Sequence, residues 1–343
     1  MSKAITLWTP DFLNKKRIEE AGQAWSELKL PALQTLLKKA DRFPTQSVLT
    51  NKRKDFYATA SNLFHQPKAL PVAATMASSL LDDFDAEQFW IKVDPIQMIP
   101  DRDTLVLIPA EDLNIQEAEA KALIEAFNQH FEQDKVAIEY GSPTDWFLRI
   151  KQPVDIHSTP LNQVKYGHLD DKYPTGHAAQ YWRQLLNEAS MLFFTHKVNE
   201  TRRNNGLPEI NGVWLWGEGK LEQSNILVRE SSDIWSDHAY LKGIAKLTQA
   251  SHSSFPETYQ ACLDSNSEQH FLMPNLLNQS LDNLTLEQWL ESVKWLEKAW
   301  LQPLLEGLKT KQVHSLLLEL GDGYRYHIEP KHLNRFWRLK NRI

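Results

Sequence analysis

The sequence predicts an α/β protein in which short apolar strands alternate with amphipathic helices. The run Ile5-Thr6-Leu7-Trp8 is typical of a short strand, and Pro31 suits the first turn of a helix, where its missing N–H is no loss. Near the other end, the continuous apolar run 316–318 is typical of a strand buried on both faces. Residues 90–150 between them predict a compact unit of two strands, a helix and two further strands.

The first half of that unit predicts two strands and a helix. Trp90–Val93 and Leu105–Ile108 are expected to be strands separated by a polar turn that contains Pro100. Asn114 is a suitable N-cap, and Glu117 stands at the capping-box position. The helix that follows is expected to bury a stripe at three- and four-residue spacing, made of Ile115, Ala118, Ala122, Ala126 and Phe127.

Four further features follow later in the chain. A long helix is expected after Gly176, and residues 199–206 are expected to form a polar loop rich in Asn and Arg. A short buried strand at Val213–Trp216 is expected to stop at Gly217. Thr285 with Gln288 forms a second capping box and predicts the start of another helix.

Composition and charge limit the classes of function. The net charge is −6, which argues against a general nucleic-acid binder, because neutralising phosphates needs a basic surface. The tail 331–342 has no carboxylate side chain and is interpreted either as a solvated end or as a docking element for a protein partner. One cysteine, no apolar run as long as a membrane span and no signal-peptide pattern lead us to expect a cytoplasmic protein without a membrane partner.

Two passages in the middle of the chain carry a specific combination of motifs. The first runs from Trp90 through Asp94-Pro95 to Asp101-Arg102-Asp103. The second combines Tyr173-Pro174-Thr175-Gly176, the segment Asn199 to Arg203, and Trp214-Leu215-Trp216-Gly217. Together they resemble the insertion domain of archaeal-type, cofactor-independent phosphoglycerate mutases. With the closing Arg335-Phe336-Trp337-Arg338, the chain is also similar to a bacterial branch, the RpfE-type regulatory proteins.

The resemblance implies a fold and its boundaries. Residues 1–85 and 213–343 are expected to form an alkaline-phosphatase-like α/β core, with a mixed sheet flanked by helices. Residues 86–212 are expected to form an α+β insertion domain.

The resemblance also implies a catalytic set that this sequence matches poorly. Mutases of this type use two divalent metals, and a Ser or Thr takes the phosphoryl group. The nearest counterparts here are Asp11, Asp282 and Asp322 for the metals, with Thr59 and Ser61 for the nucleophile. Gly323 stands where the family places a metal-binding His. We therefore expect no cofactor; Mn²⁺ or Mg²⁺ would be needed only if the catalytic alternative holds.

The remaining candidates are residues that could bind an anion, since Arg and Asn side chains suit carboxylate or phosphate. They are Arg102, Asn199, Arg202, Arg203, Asn211 and Trp216. The competing interpretation is that Asn199 and Arg202 cap a helix end and pair across the domain junction. The leading hypothesis is a non-catalytic or repurposed relative of the mutases that binds a phosphorylated or carboxylated small molecule or a protein partner. The alternative is a metal-dependent mutase or phosphatase with diverged ligands.

Overall fold

The computed structural model describes residues 2–10, 12–45, 55–274 and 284–337. Its strands are β1 Lys3–Trp8, β2 Asp41–Pro44, β3 Phe89–Asp101, β4 Thr104–Pro109, β5 Ile138–Tyr140, β6 Trp146–Ile150, β7 Gly212–Gly219, β8 Ser232–Trp235, β9 Ser251–Ser253, β10 Gln269–Leu272, β11 Val313–Glu319 and β12 Tyr324–Ile328. Its helices are α1 Lys15–Ala21, α2 Gln23–Ser26, α3 Pro31–Lys39, α4 Phe56–Leu63, α5 Val72–Leu80, α6 Glu117–His130, α7 Ala179–Thr195, α8 Lys197–Asn204, α9 Ala239–Thr248, α10 Gln260–Asp264, α11 Leu286–Leu296 and α12 Gln302–Lys309. No helix of these residues is both long and apolar enough to cross a membrane.

The chain divides into two compact units. Unit 1 comprises Met1–Ala69 and Ile226–Ile343, and unit 2 comprises Leu70–Asn225. The boundaries expected from the sequence, 85/86 and 212/213, both fall inside unit 2. The physical reason is that α5 packs against β3 and β7, and β7 pairs with β3 along most of its length.

Unit 1 is built on a seven-stranded mixed sheet in the order β2-β12-β11-β1-β10-β8-β9. β1 pairs in parallel with β10 and β11, β10 pairs in parallel with β8, and β12 is antiparallel to both of its neighbours. Alternate residues of β1 face opposite sides of the sheet. Ile5 and Leu7 join the core formed with α3, α11 and α12, and Trp8 faces the other side, towards α4. The predicted strands at 5–8 and 316–318 are confirmed.

The end of unit 1 also confirms the second capping box. Thr285 Oγ1 accepts from Gln288 N at 3.2 Å, and the Gln288 side chain accepts from Thr285 N at 3.0 Å. A π-helical turn, Glu297–Leu301, joins α11 to α12, so the helical run continues through Pro303.

Unit 2 contains a five-stranded sheet in which β3 is the longest strand. β3 pairs antiparallel with β4, β6 and β7. Ile91 and Val93 face a core shared with α6 and α7. The expected stop of β7 at Gly217 was wrong: the strand continues to Gly219, because Gly217 adopts a left-handed φ of 68° within a register shift of the β3–β7 pairing.

Three expectations for unit 2 need correction. Pro100 lies within β3 rather than in the turn, which consists of Arg102 and Asp103 alone. α6 begins at Glu117 with Gln116 as its N-cap, because Asn114 takes a left-handed φ of 48° and the capping-box carboxylate is Glu119. The helix buries Ala120, Leu123, Ile124 and Phe127. Of the predicted stripe, Phe127 and the preceding Ile115 are buried, whereas Ala118 is exposed.

Candidate functional site

The carboxyl ends of the parallel strands in unit 1 meet at one edge of the sheet, the place where open α/β sheets bind ligands. Three aspartates were candidate metal ligands here. Asp11 and Asp282 lie outside the described residues. Asp322, in the turn between β11 and β12, accepts hydrogen bonds from Tyr324 N at 3.0 Å and from the Tyr326 hydroxyl. Both oxygens of its carboxylate are thus engaged by the adjacent strand.

Aromatic side chains pack together at the same edge. The Trp8 ring lies 4.7 Å from the Phe56 ring and 6.1 Å from the Phe271 ring. Phe56 in turn lies 4.7 Å from the His238 ring. These four side chains are called the aromatic cluster below. They come from β1, the first residue of α4, the end of β10 and the loop after β8, so the cluster spans three neighbouring parallel strands.

The two candidate nucleophiles lie on α4. Thr59 is half-buried, and Ser61 is only 1% exposed. Ser61 Oγ lies 3.0 Å from the hydroxyl of Tyr240 on α9, within hydrogen-bonding distance. Burial and this contact place the Ser61 hydroxyl in the packing between two helices rather than on an accessible surface.

A binuclear metal site needs a converging set of oxygen and imidazole donors. Among the residues that the structure describes, no three His, Cys, Asp or Glu side chains form such a group. His238 Nδ1 instead accepts from Tyr240 N at 3.2 Å and caps α9. The described donors at this edge therefore do not fit a pair of divalent metals.

In unit 2, Arg202 and Asn199 lie on α8, where the sequence predicted a loop. That expectation was wrong because both side chains point inward and hold the helix in place: each is 0% exposed. Arg202 donates to Pro208 O at 2.6 Å, to Glu119 Oε2 at 2.6 Å and to Leu113 O.

Asn199 completes the same arrangement. Its amide donates to Phe193 O at 2.7 Å and to Ile210 O at 2.8 Å, and it accepts from Ile210 N at 2.8 Å. Asn199 thus caps the end of α7, as the structural interpretation predicted, but the partners of Asn199 and Arg202 all lie within unit 2 rather than across a domain junction.

Asn211 extends the pairing of β7 with β3. Its side-chain amide accepts from Met98 N at 2.6 Å and donates to Met98 O at 2.9 Å, as a backbone partner would. Trp216, which is 4% exposed, donates from Nε1 to the carboxylate of Asp94.

Arg102 and Arg203 are the accessible arginines of the predicted set. Arg102 stands at the tip of the β3–β4 turn with a φ of 54° and lines a pocket together with Asp103, Asp170 and Tyr173. Arg203 donates to Glu209 Oε2 at 2.9 Å. Both arginines thus have carboxylates nearby. Arg203 lies one turn after Asn199 on α8, but its side chain is exposed whereas that of Asn199 is buried.

Unit 2 contains a buried charge cluster that the sequence analysis did not predict. Lys92, 1% exposed, contacts the carboxylate of Asp94 and lies 3.2 Å from Asp145 Oδ1. Burial by itself lowers the pKa of Lys92, but the carboxylates of Asp94 and Asp145 outweigh it, so this pKa lies above its usual value. The signal in the sequence was a Lys and an Asp two residues apart within the otherwise apolar run 90–96.

Comparison with known proteins finds similarity to phosphoglycerate mutases. No family model matches the chain. The 2,3-bisphosphoglycerate-independent phosphoglycerate mutase of Methanosarcina acetivorans is 25% identical over 136 residues, which cover 38% of this chain and 34% of the relative. A probable mutase of the same kind from Geobacter sulfurreducens is 25% identical over 145 residues, 42% of this chain and 36% of the relative. The match therefore spans about a third of the length of these relatives.

Solved structures extend the similarity to nearly the whole chain. The cofactor-independent phosphoglycerate mutase of Thermoplasma acidophilum superposes with a TM-score of 0.51 at 14% identity, covering 99% of this chain and 94% of that one. The PH0037 protein from Pyrococcus horikoshii gives a TM-score of 0.58 at 12% identity over 96% of this chain and 88% of that one. The fold is thus the alkaline-phosphatase-like α/β fold of these mutases, as the sequence predicted, and the sequence similarity to them is weak.

Proposed function

We propose that this chain is a phosphoglycerate-mutase-like protein that has lost metal-dependent phosphoryl transfer and acts by binding, as a cytoplasmic regulatory protein of the RpfE type. The observation that carries the proposal is the aromatic cluster. Large rings occupy the edge of the sheet where a phosphoryl-transfer site needs carboxylates and imidazoles around two metals. Three of the four side chains are apolar rings and the fourth, His238, uses Nδ1 to cap α9, so the cluster as built does not stabilise the charge that develops during phosphoryl transfer.

Two further contacts support the proposal. The Asp322 carboxylate accepts hydrogen bonds from Tyr324 and Tyr326, which hold it in the β11–β12 turn, so a metal bound there would have to share oxygens that already accept hydrogen bonds. Ser61 is buried against Tyr240, so an attack on a phosphoryl group would need α4 to move away from α9.

The test combines metal analysis with a mutase assay on the purified full chain. After incubation with Mn²⁺ or Mg²⁺ and dialysis, we expect no stoichiometric retained metal and no conversion of 3-phosphoglycerate, with the Thermoplasma acidophilum mutase as the active control. Metal-dependent turnover that is abolished by Ser61→Ala or Asp322→Asn would refute the proposal. Turnover that survives both substitutions would refute it too, and would locate the chemistry elsewhere.

A specific observation favours a protein partner at the C-terminal tail. Arg335 is anchored by Asp41 Oδ1 and Oδ2 at 2.7 and 3.0 Å, and the next two side chains, Phe336 and Trp337, are 80% and 64% exposed. Exposed neighbouring aromatics on an anchored segment are typical of a docking element. The variant Phe336→Ser/Trp337→Ser should lose a partner that the unaltered protein retains in pull-down experiments, with unchanged thermal stability. An identical set of retained proteins would exclude this role for the tail.

A further inference from the structure

Two arginines from distant parts of unit 1 contact the last turn of α4 and the residues just after it. Arg325, on β12, donates from Nη1 to Asn62 Oδ1 at 2.6 Å. Arg229, in the loop before β8, donates from Nη2 to the backbone carbonyl of His65 at 3.4 Å. His65 N in turn donates to Asn62 O at 3.0 Å, so one guanidinium contacts a side chain and the other a backbone carbonyl of the same turn. Arg229, Arg325, Asn62 and His65 are called the basic turn below.

Neither guanidinium of the basic turn is held in an ion pair with a contacting carboxylate of the described residues. Within the part of the chain that the structure describes, Arg229 and Arg325 form no ion pair; Glu319, opposite Arg325 in the β11–β12 register, is the carboxylate that acts on it electrostatically. The Nε atoms of both arginines are buried and have no hydrogen-bond partner. A buried donor without a partner destabilises the fold, so each Nε is a donor that a bound acceptor would satisfy.

The two positive charges act on the same neighbour. Burial lowers the pKa of His65, and Arg229 and Arg325 lower it further. Two positive charges near one turn repel each other, and the buried Glu319 carboxylate acts on Arg325, so an anion that contacts both guanidinium groups would relieve the repulsion that remains. Each guanidinium is held by a single hydrogen bond, so turning it towards an anion breaks little and provides an acceptor for Nε.

We propose that the basic turn binds a phosphate group, with Arg229 and Arg325 donating to its oxygens and Asn62 and His65 adjoining them. Phosphate fits better than carboxylate because its terminal oxygens can accept from two guanidinium forks at once. This site is distinct from the arginines of unit 2 that the sequence singled out. It does not rest on the loss of phosphoryl transfer, because none of its residues belongs to the aromatic cluster or to the candidate metal ligands.

A purely structural role makes a different prediction. Arg229 could serve only as a cap for the carbonyls at the end of α4, and Arg325 only as a partner of Asn62. In that case both side chains would matter for folding, and added phosphate would not bind to them. The experiment therefore has to separate phosphate affinity from stability.

Calorimetric titration of the full chain with inorganic phosphate, at fixed ionic strength set with chloride, measures the affinity. We expect saturable binding with a Kd that rises at least tenfold in Arg229→Gln and in Arg325→Gln. The matched control is Arg203→Gln, which removes an arginine of unit 2 and should leave the Kd unchanged. No saturable binding, or equal binding in all variants, would overturn the proposal, and weaker binding only in Arg203→Gln would assign the anion to unit 2 instead.

A second measurement needs no variant to fold. In ¹⁵N-labelled protein, the Nε–H resonances of Arg229 and Arg325 should shift on adding phosphate, and those of Arg202, whose Nε already donates to Pro208, should not. Unshifted Arg229 and Arg325 resonances at saturating phosphate would overturn the site. The mutase assay tests the proposed function and the phosphate measurements test the basic turn, so a negative result in one experiment does not decide the other.

Discussion

Lys92 shows at the scale of one residue how a buried charge is tolerated in this fold. It lies on β3 with its ammonium between Asp94 and Asp145, and Thr144 O lies 3.4 Å away. We predict that Lys92→Met lowers the free energy of unfolding by about 3–5 kcal/mol, because it leaves the buried carboxylate of Asp94 without its cation. Chemical denaturation followed by tryptophan fluorescence measures the change.

The control for this prediction is Lys121→Met, which removes an exposed lysine that pairs with Glu117 one turn away on α6. It should leave the unfolding curve unchanged within error, because exposed pairs contribute little. The double variant Lys92→Met/Asp94→Asn should recover part of the loss. If Lys92→Met were as harmless as the control, the cluster would have no role in holding β3.

His270 is a second buried residue whose ionisation affects the stability. Its Nδ1 lies 3.1 Å from Trp235 Nε1, which can only donate, so Nδ1 is the acceptor and Nε2 donates to Ser267 O at 3.2 Å. Burial, together with the charge of Lys3, lowers the pKa of His270, although Asp233 opposes the shift. The folded protein therefore favours the neutral ring.

The sign of the pH effect follows from that direction. A depressed pKa gives stability that is present above the unfolded-state pKa of about 6.5 and is lost as the pH falls through the folded-state value. We predict that the free energy of unfolding decreases from pH 7 to pH 5 and that His270→Gln reduces this slope. Part of the slope should remain in His270→Gln, because burial also lowers the pKa values of His65 and His332. If the free energy of unfolding of His270→Gln depended on pH as steeply as that of the unaltered protein, His270 would not contribute to the pH effect.

At the scale of elements, helix ends explain which sequence predictions succeeded. The capping box at Thr285 and the proline at position 31 act through neighbouring residues, and both helices begin as predicted. The start of α6 was misplaced because Asn114 and Gln116 both offer plausible caps, and the choice depends on Glu119, which Arg202 also contacts from α8. Long-range partners of this kind leave no periodic signal in the sequence.

Glu297 caps the start of α3 from a distant part of the chain, and no pattern in the sequence predicts this contact. It lies in the π-helical turn before α12, is 3% exposed, and accepts from Ala32 N at 2.7 Å and Leu33 N at 2.9 Å. The carboxylate thus satisfies free N–H groups at the start of α3, where the helix dipole favours a negative charge. We predict that Glu297→Gln costs about 1–3 kcal/mol in thermal or chemical unfolding, since it replaces charge-assisted hydrogen bonds.

The comparison for this prediction is Glu306→Gln on α12. The Glu306 carboxylate pairs with Lys309 on the surface instead of accepting from backbone N–H groups at the start of a helix, so its replacement should leave the stability unchanged. If Glu297→Gln left the free energy of unfolding unchanged, α3 would not depend on this cap.

At the scale of the whole molecule, the strand and helix pattern was enough to predict an α/β fold, and the motifs around Asp94 and Trp214 indicated its mutase-like type. The contents of the candidate site were not predictable in the same way. Trp8, Phe56, His238 and Phe271 lie far apart in the sequence and meet only through the parallel register of β1, β10 and β8. Arg229 and Arg325 are similarly separated, and neither stands in a motif.

The division into units gives a prediction at this scale. Unit 2 is one continuous segment, Leu70–Asn225, with its own apolar core. A fragment of these residues should fold alone and unfold cooperatively. The shorter fragment 86–212, cut at the boundaries expected from the sequence, should not, because it lacks α5 and nearly all of β7. Without them β3 loses its pairing from Trp90 to Pro95, and the Lys92–Asp94 pair loses the Trp216 donor. Circular dichroism and dispersed amide resonances distinguish the two; a folded 86–212 fragment would show that α5 and β7 are dispensable and that the boundaries lie where the sequence placed them.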